Sequence, residues 1–196
     1  MTLIKISRNR DYIFSFLLLI PVIFSISFDL FASEIPEGNK SIILIDNKNI
    51  KTKIAEIIFS HEGEKITYKI DFEESVFQQE FLSMRPFKCI HREGKMICYF
   101  EYLYQKQGYI TKDDLVDLEY DLMFLHKTPE EYGINPWNGL YYQLTIENET
   151  IKGQLREVDL NVLVAPPRDG DLRPVSANML HKTKPGFHVF PRLTIE

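Results

Sequence analysis

The chain has 196 residues, with 23 Lys and Arg against 28 Asp and Glu, a net charge of −5. Phosphate binding needs clustered basic side chains, so this balance argues against nucleic acid as a partner and against simple electrostatic attachment to anionic lipid.

Lys5, Arg8 and Arg10 precede residues 12–28, which carry no formal charge and are dominated by Phe, Leu and Ile. That is the charged and then apolar order of a secretory signal. Residues 1–32 are predicted to be a signal peptide, cut after Ala32 or, using the small pair Ser25 and Ser27, after Ser27. The alternative is an uncleaved anchor over residues 12–28, a run that nearly spans a bilayer. Pro21 within the run and Asp29 at its end favour processing. No cysteine follows the run, which excludes a lipidated amino terminus. Residues 33–196 then hold 20 basic and 26 acidic side chains, a net charge of −6. They suffice for one domain with a real core.

Residues 41–46 read as a strand and 47–49 as a turn. Residues 53–72 form a hairpin in which Glu62 and Gly63 as turn residues set Phe59 opposite Ile66, Ile57 opposite Tyr68 and Ala55 opposite Ile70, all on one face. Glu56 then meets Lys69 on the other face. Residues 75–84 read as a short helix capped by Ser75, with an irregular strand as the alternative. Pro86 ends either one.

Residues 89–98, "CIHREGKMIC", contain both cysteines. A two-residue Glu93-Gly94 turn puts Cys89 opposite Cys98 at a non-hydrogen-bonded position, with α-carbons about 4.5 Å apart. A cross-strand disulfide fits that spacing, and an exported chain favours it. Closing a loop of about ten residues stabilises by roughly 2 to 3 kcal/mol in the chain-entropy model. Redox catalysis sets its cysteines closer, and a metal site needs two more ligands where only His91 is near in sequence.

Residues 111–127 carry a helical pattern: Thr111 with Asp114 as a capping box, and Leu115, Leu118, Leu122 and Leu125 as a core-facing stripe. Asp114, Asp117 and Asp121 form a second stripe, read as the solvated face. Residues 128–133 suggest a further short helix, capped by Thr128 and closed by Gly133. After the "NPWNG" turn, a hairpin with Asn148 and Glu149 at its tip opposes Ile146 with Ile151 and Tyr142 with Leu155. Apolar parity then changes from Leu155 to Val158, which predicts a bulge near Arg156 or Glu157. The proline-rich end should be loop-rich and finish in an edge strand over 188–195. The class is α+β: a mainly antiparallel, strongly curved sheet of hairpins packed on one amphipathic helix, behind a signal segment.

No HExxH occurs, since "HEGEK" has Lys65 in the last place, and no G-x-S-x-G, P-loop or dinucleotide fingerprint is present. Tyr99, Tyr102, Tyr104 and Tyr109 cluster before the helical pattern, and Trp137, Tyr141 and Tyr142 after it. On an exported protein Tyr109, Trp137, Tyr141 and Tyr142 are candidates for an aromatic platform that takes a glycan or an extended peptide. The plainer role of such residues is to form strands with a polar tip at the sheet rim. The expectation is a periplasmic or secreted, non-catalytic domain that binds an envelope protein, peptide or glycan through its concave face or the "YGINPWNG" loop, with no cofactor and no metal. The alternatives are a hydrolase with a site in 109–142, drawing on Asp113, Asp117, His126 and His188, and a small-molecule binder with a curved-sheet cavity.

Overall fold

The computed structural model describes residues 35–128 and 130–196. The signal segment, its cleavage positions and the alternative anchor lie outside the described residues. Among the described residues no helix is long and apolar enough to cross a membrane.

Runs rich in Ile, Val, Phe and Tyr become strands, because branched and aromatic side chains pack well on a pleated surface. In chain order these are β1 (Gly38–Ile45), β2 (Lys51–Glu62), β3 (Lys65–Phe72), β4 (Gln78–Leu82), β5 (Arg85–Arg92), β6 (Lys95–Tyr99), β7 (Phe124–Lys127), β8 (Gly139–Glu147), β9 (Thr150–Val158), β10 (His181–Lys182) and β11 (Arg192–Ile195). The α-helix α1 (Val116–Tyr120) is a single short element between β6 and β7. All strands join one antiparallel sheet in the order β3-β2-β1-β11-β9-β8-β7-β6-β5-β4, with β10 beside β9. The sheet curls strongly into a half-barrel.

Alternation along the strands feeds two cores. Ile42, Leu44, Ile57, Ile97, Phe124, Tyr142 and Leu155 point to one face. Phe87, Cys89, Cys98, Leu125, Tyr141 and Val158 point to the other. The middle of the sheet is therefore covered on both sides, and all four residues of β7 are buried.

The Glu93-Gly94 hairpin has the predicted register, with Cys89 opposite Cys98 and Ile90 opposite Ile97. The two Sγ atoms are 2.09 Å apart and the α-carbons 4.0 Å apart, a disulfide. The β8–β9 hairpin also pairs as predicted, Ile146 with Ile151 and Tyr142 with Leu155. The expected bulge is absent: pairing runs unbroken to Gly139 opposite Val158. Parity changes because Leu155 serves the first core and Val158 the second.

In the first hairpin the turn residues are Gly63 and Glu64, so Phe59 opposes Tyr68, Ile57 opposes Ile70 and Glu56 opposes Asp71. Gly63 has φ +65°, the left-handed conformation a two-residue hairpin needs at its first central position, where glutamate is strained. The shift of two keeps every side chain on its predicted face. Residues 75–84 are not a helix: a 3₁₀ turn at Glu74–Val76 leads into β4, which pairs with β5.

The long helix expected over 111–127 is replaced by three pieces. Thr111 and Asp114 exchange backbone hydrogen bonds in a tight turn, α1 contributes a little over one turn, and residues 124–127 become β7. Leu115, Leu118 and Leu122 are buried as a helical stripe requires. The run from Leu122 to Leu125 is buried on both faces, and such a run serves a central strand as well as a helix. The sheet is thus not packed on one amphipathic helix. In place of the short helix expected at 128–133, the described residues 130–133 form turns and bends. The final strand is no edge: β11 lies between β1 and β9.

Candidate functional site

The segments after β6 and around 134–136 and 163–164 run beside the β4–β5 hairpin and leave a cleft of about 850 Å³. Its walls are largely aromatic, from Phe72, Phe87, Tyr99, Phe100 and Tyr104, with Pro136 from the loop. Tyr104 donates its hydroxyl to the Leu163 carbonyl at 3.1 Å, fastening two walls together. Phe72 packs on Tyr99 with ring centres 4.7 Å apart. Arg85, Lys88 and Glu101 bring charge to the lining. The Arg85 guanidinium lies over the Phe87 ring, and Lys88 pairs with Glu74.

Around this cleft sit large side chains left in solvent: Phe81 and Met84 on the β4–β5 hairpin, Leu103 in the wall, and Trp137 next to Pro136. Trp137 is 68% exposed. Its loop is tied down by Glu131, whose carboxylate accepts from the Thr128 backbone N–H at 2.6 Å and from Asn138 Nδ2 at 2.7 Å. Among the described residues β4 ends the sheet, and its outer backbone groups face no strand. At the other end Ile66 of β3 already exchanges two backbone bonds with Ile110.

The second arrangement surrounds α1. The stripe expected to be solvated is instead engaged: Asp117 is 1% exposed. It accepts from the Gly108 backbone N–H at 2.6 Å. Arg173 reaches Asp114 at 2.8 Å and Asp117 at 3.5 Å. Asp121 accepts from the Tyr68 hydroxyl at 2.7 Å and from the Lys106 ammonium. Glu119, buried between the sheet and this network, takes the Leu144 backbone N–H at 2.6 Å and the Tyr141 hydroxyl. Burial pushes the Glu119 carboxyl above its ordinary range, against the pull of those two donors. The Tyr120 hydroxyl is held up to about 12 by burial, and it accepts from the Val175 backbone N–H at 3.0 Å. Asp113, Asp114, Glu119 and Tyr141 border a smaller hollow of about 400 Å³.

The third arrangement pairs two histidines. His126 on β7 and His188 before β11 face each other with ring centres 5.0 Å apart and planes at 90°. Glu157 lies 2.7 Å from His188 Nε2. Burial and the neighbouring His188 lower the His126 pKa.

The predicted residues therefore scatter. Tyr141 and Tyr142 are adjacent in sequence and sit in opposite cores, bonded to Glu119 and to the Phe190 carbonyl. They form no surface platform. Tyr109 is half-buried with the Lys65 ammonium 4.4 Å over its ring, and Trp137 alone of the four is open. Asp117 belongs to the α1 network, Asp113 to the rim of the smaller hollow, and His126 and His188 to one another. Sequence reasoning missed Glu119, Arg173, Glu131 and Glu157. The partners of Glu119, Arg173 and Glu157 lie far along the chain, where a single sequence gives no sign of the pairing, whereas Glu131 bonds Thr128 at the Thr-x-x-Glu spacing that marks a capping box. Compared with known protein families, with curated proteins and with solved structures, the chain matches none.

Proposed function

We propose that this is an exported cell-envelope domain with a binding rather than a catalytic role, which takes an extended apolar segment of a partner protein beside β4. One observation carries the reading: an aromatic cleft of about 850 Å³ adjoins the free edge of the sheet. An added strand gains backbone hydrogen bonds from an open edge, and alternate side chains find pockets next to it. The exposed Phe81, Met84, Leu103 and Trp137 extend the apolar surface that such a segment covers. The "YGINPWNG" loop keeps its proposed role through Trp137. The concave-face reading loses support, because the middle of the sheet is covered on both sides.

Export is supported by the Cys89–Cys98 bond, since disulfides persist in oxidising compartments. The charged and then apolar start of the sequence adds to it, with a periplasmic or secreted mature chain as the proposed location.

The cleft volume also suits a small amphipathic molecule, which is the second reading. Peptide-library selection against the purified protein separates the two. Alternating apolar sequences should be enriched, and Leu103→Asp and Trp137→Ala should each weaken the selected peptide at least tenfold in fluorescence anisotropy. Both side chains are exposed, so the fold should be unaffected. Enrichment of no peptide, with saturable binding of a fluorescent fatty acid, would reject the peptide reading in favour of the second.

A further inference from the structure

We propose that His126 and His188 form a binding site for a divalent transition-metal ion of the imidazole-seeking kind, zinc or copper. Both residues are more than nine-tenths buried, His126 at 6% exposure and His188 at 4%. Three of their four ring nitrogens, His126 Nδ1 and Nε2 and His188 Nδ1, have no hydrogen-bond partner. Buried polar atoms are normally satisfied, and a pair of adjacent orphaned imidazoles calls for a ligand that takes lone pairs.

The geometry fits one shared ion. Two imidazoles on a tetrahedral centre, with bonds of about 2.0–2.1 Å, put their ring centres roughly 5 Å apart. The observed separation is 5.0 Å. His188 Nε2 is engaged by Glu157 at 2.7 Å, which leaves Nδ1 as the free donor. A carboxylate holding the far nitrogen of a ligating histidine is the usual outer support of a metal site. Glu157 thereby also sets a carboxylate beside the positive charge an ion would bring. Phe187 packs against both rings and is itself 46% exposed, so solvent is one side chain away. No three ligating side chains converge among the described residues, so the protein supplies two ligands and water completes the shell. Two imidazoles favour borderline ions over Mg²⁺ or Ca²⁺, with copper the tighter of the two proposed.

Scanning calorimetry of the purified protein with ZnCl₂, CuCl₂ and MgCl₂ tests this. Zinc and copper at a hundredfold excess over the dissociation constant should raise the unfolding midpoint by roughly 5–10 °C, and magnesium should not. His126→Phe should abolish the rise, and Glu157→Gln should weaken binding roughly 10- to 100-fold. A variant lacking the exposed His61, His91 and His181 should keep the full effect. No rise in the unsubstituted protein, or an equal rise in His126→Phe, would overturn the site. Should His126→Phe not fold, nitrogen NMR of the unsubstituted protein decides: zinc shifting the ring signals of His126 and His188 supports the site, and shifts confined to the exposed histidines refute it.

Discussion

The two faces of the sheet hold the molecule together by different means. The first core is mainly aliphatic, Ile42, Leu44, Ile54, Ile57, Leu118, Ile151 and Ile195, with Phe124 packed against the Tyr99 and Tyr142 rings. The second is rich in tyrosines, with two methionines and the disulfide, under segments that are not strands. Three of its tyrosines are pinned by polar bonds, Tyr141 to Glu119, Tyr120 to Val175 and Tyr104 to Leu163. Strand alternation specifies most of the first core, because every second side chain arrives on that face, and the leucines of the 115–122 segment complete it. Loops have no such periodicity, so the second core needs directional bonds and a covalent staple to choose one packing.

The largest test of this contrast is Phe124→Ala, which opens a void among fully buried neighbours. It should cost about 3–5 kcal/mol in urea unfolding. A cost below about 1 kcal/mol would show that the first core does not depend on close packing there. Replacing both Cys89 and Cys98 by Ala should cost about 2–3 kcal/mol. Hydrogen exchange should then quicken first in β5 and β6 while β1 and β2 stay protected; uniform quickening would erase the distinction between the cores. The smallest effect is the pH dependence that Glu119 adds where it holds Tyr141 of the second core. Burial raises the folded-state pKa of Glu119 above its ordinary 4.5, so the folded state keeps a proton that the unfolded chain releases. Its contribution is complete below about pH 4.5 and is lost as pH rises through the folded-state value. Glu119→Gln should flatten that decline, measured as unfolding free energy against pH.

Two hairpins were legible residue by residue, because their turns left one workable choice. Glu93-Gly94 and Asn148-Glu149 each fixed a register that the flanking apolar residues accepted. The expected Glu62-Gly63 turn was off by one residue, because Gly63 takes the left-handed first position that glutamate fills less readily. The region from Thr111 to Lys127 misled because leucines at helical spacing satisfy one short turn of helix followed by a doubly buried strand equally well. The candidate sites were largely illegible for a related reason. Tyr141 and Tyr142 look like surface aromatics until both faces of β8 are known to be covered. The cleft arises where β4 and β5 meet residues brought from beyond position 99, a juxtaposition that no local pattern encodes.

The position of β11 governs the order in which the fold can be completed. Ile42 of β1 lies opposite Ile195, and Thr194 in turn lies opposite Lys152 of β9. The β1–β3 meander and the strands from β9 to β4 are adjacent in the sheet only through this strand. Hairpins can form as the chain emerges, but the sheet is not continuous until residues 192–195 are in place, and so remote a pairing is intrinsically slow. A nascent chain therefore lacks a continuous sheet until synthesis reaches that point.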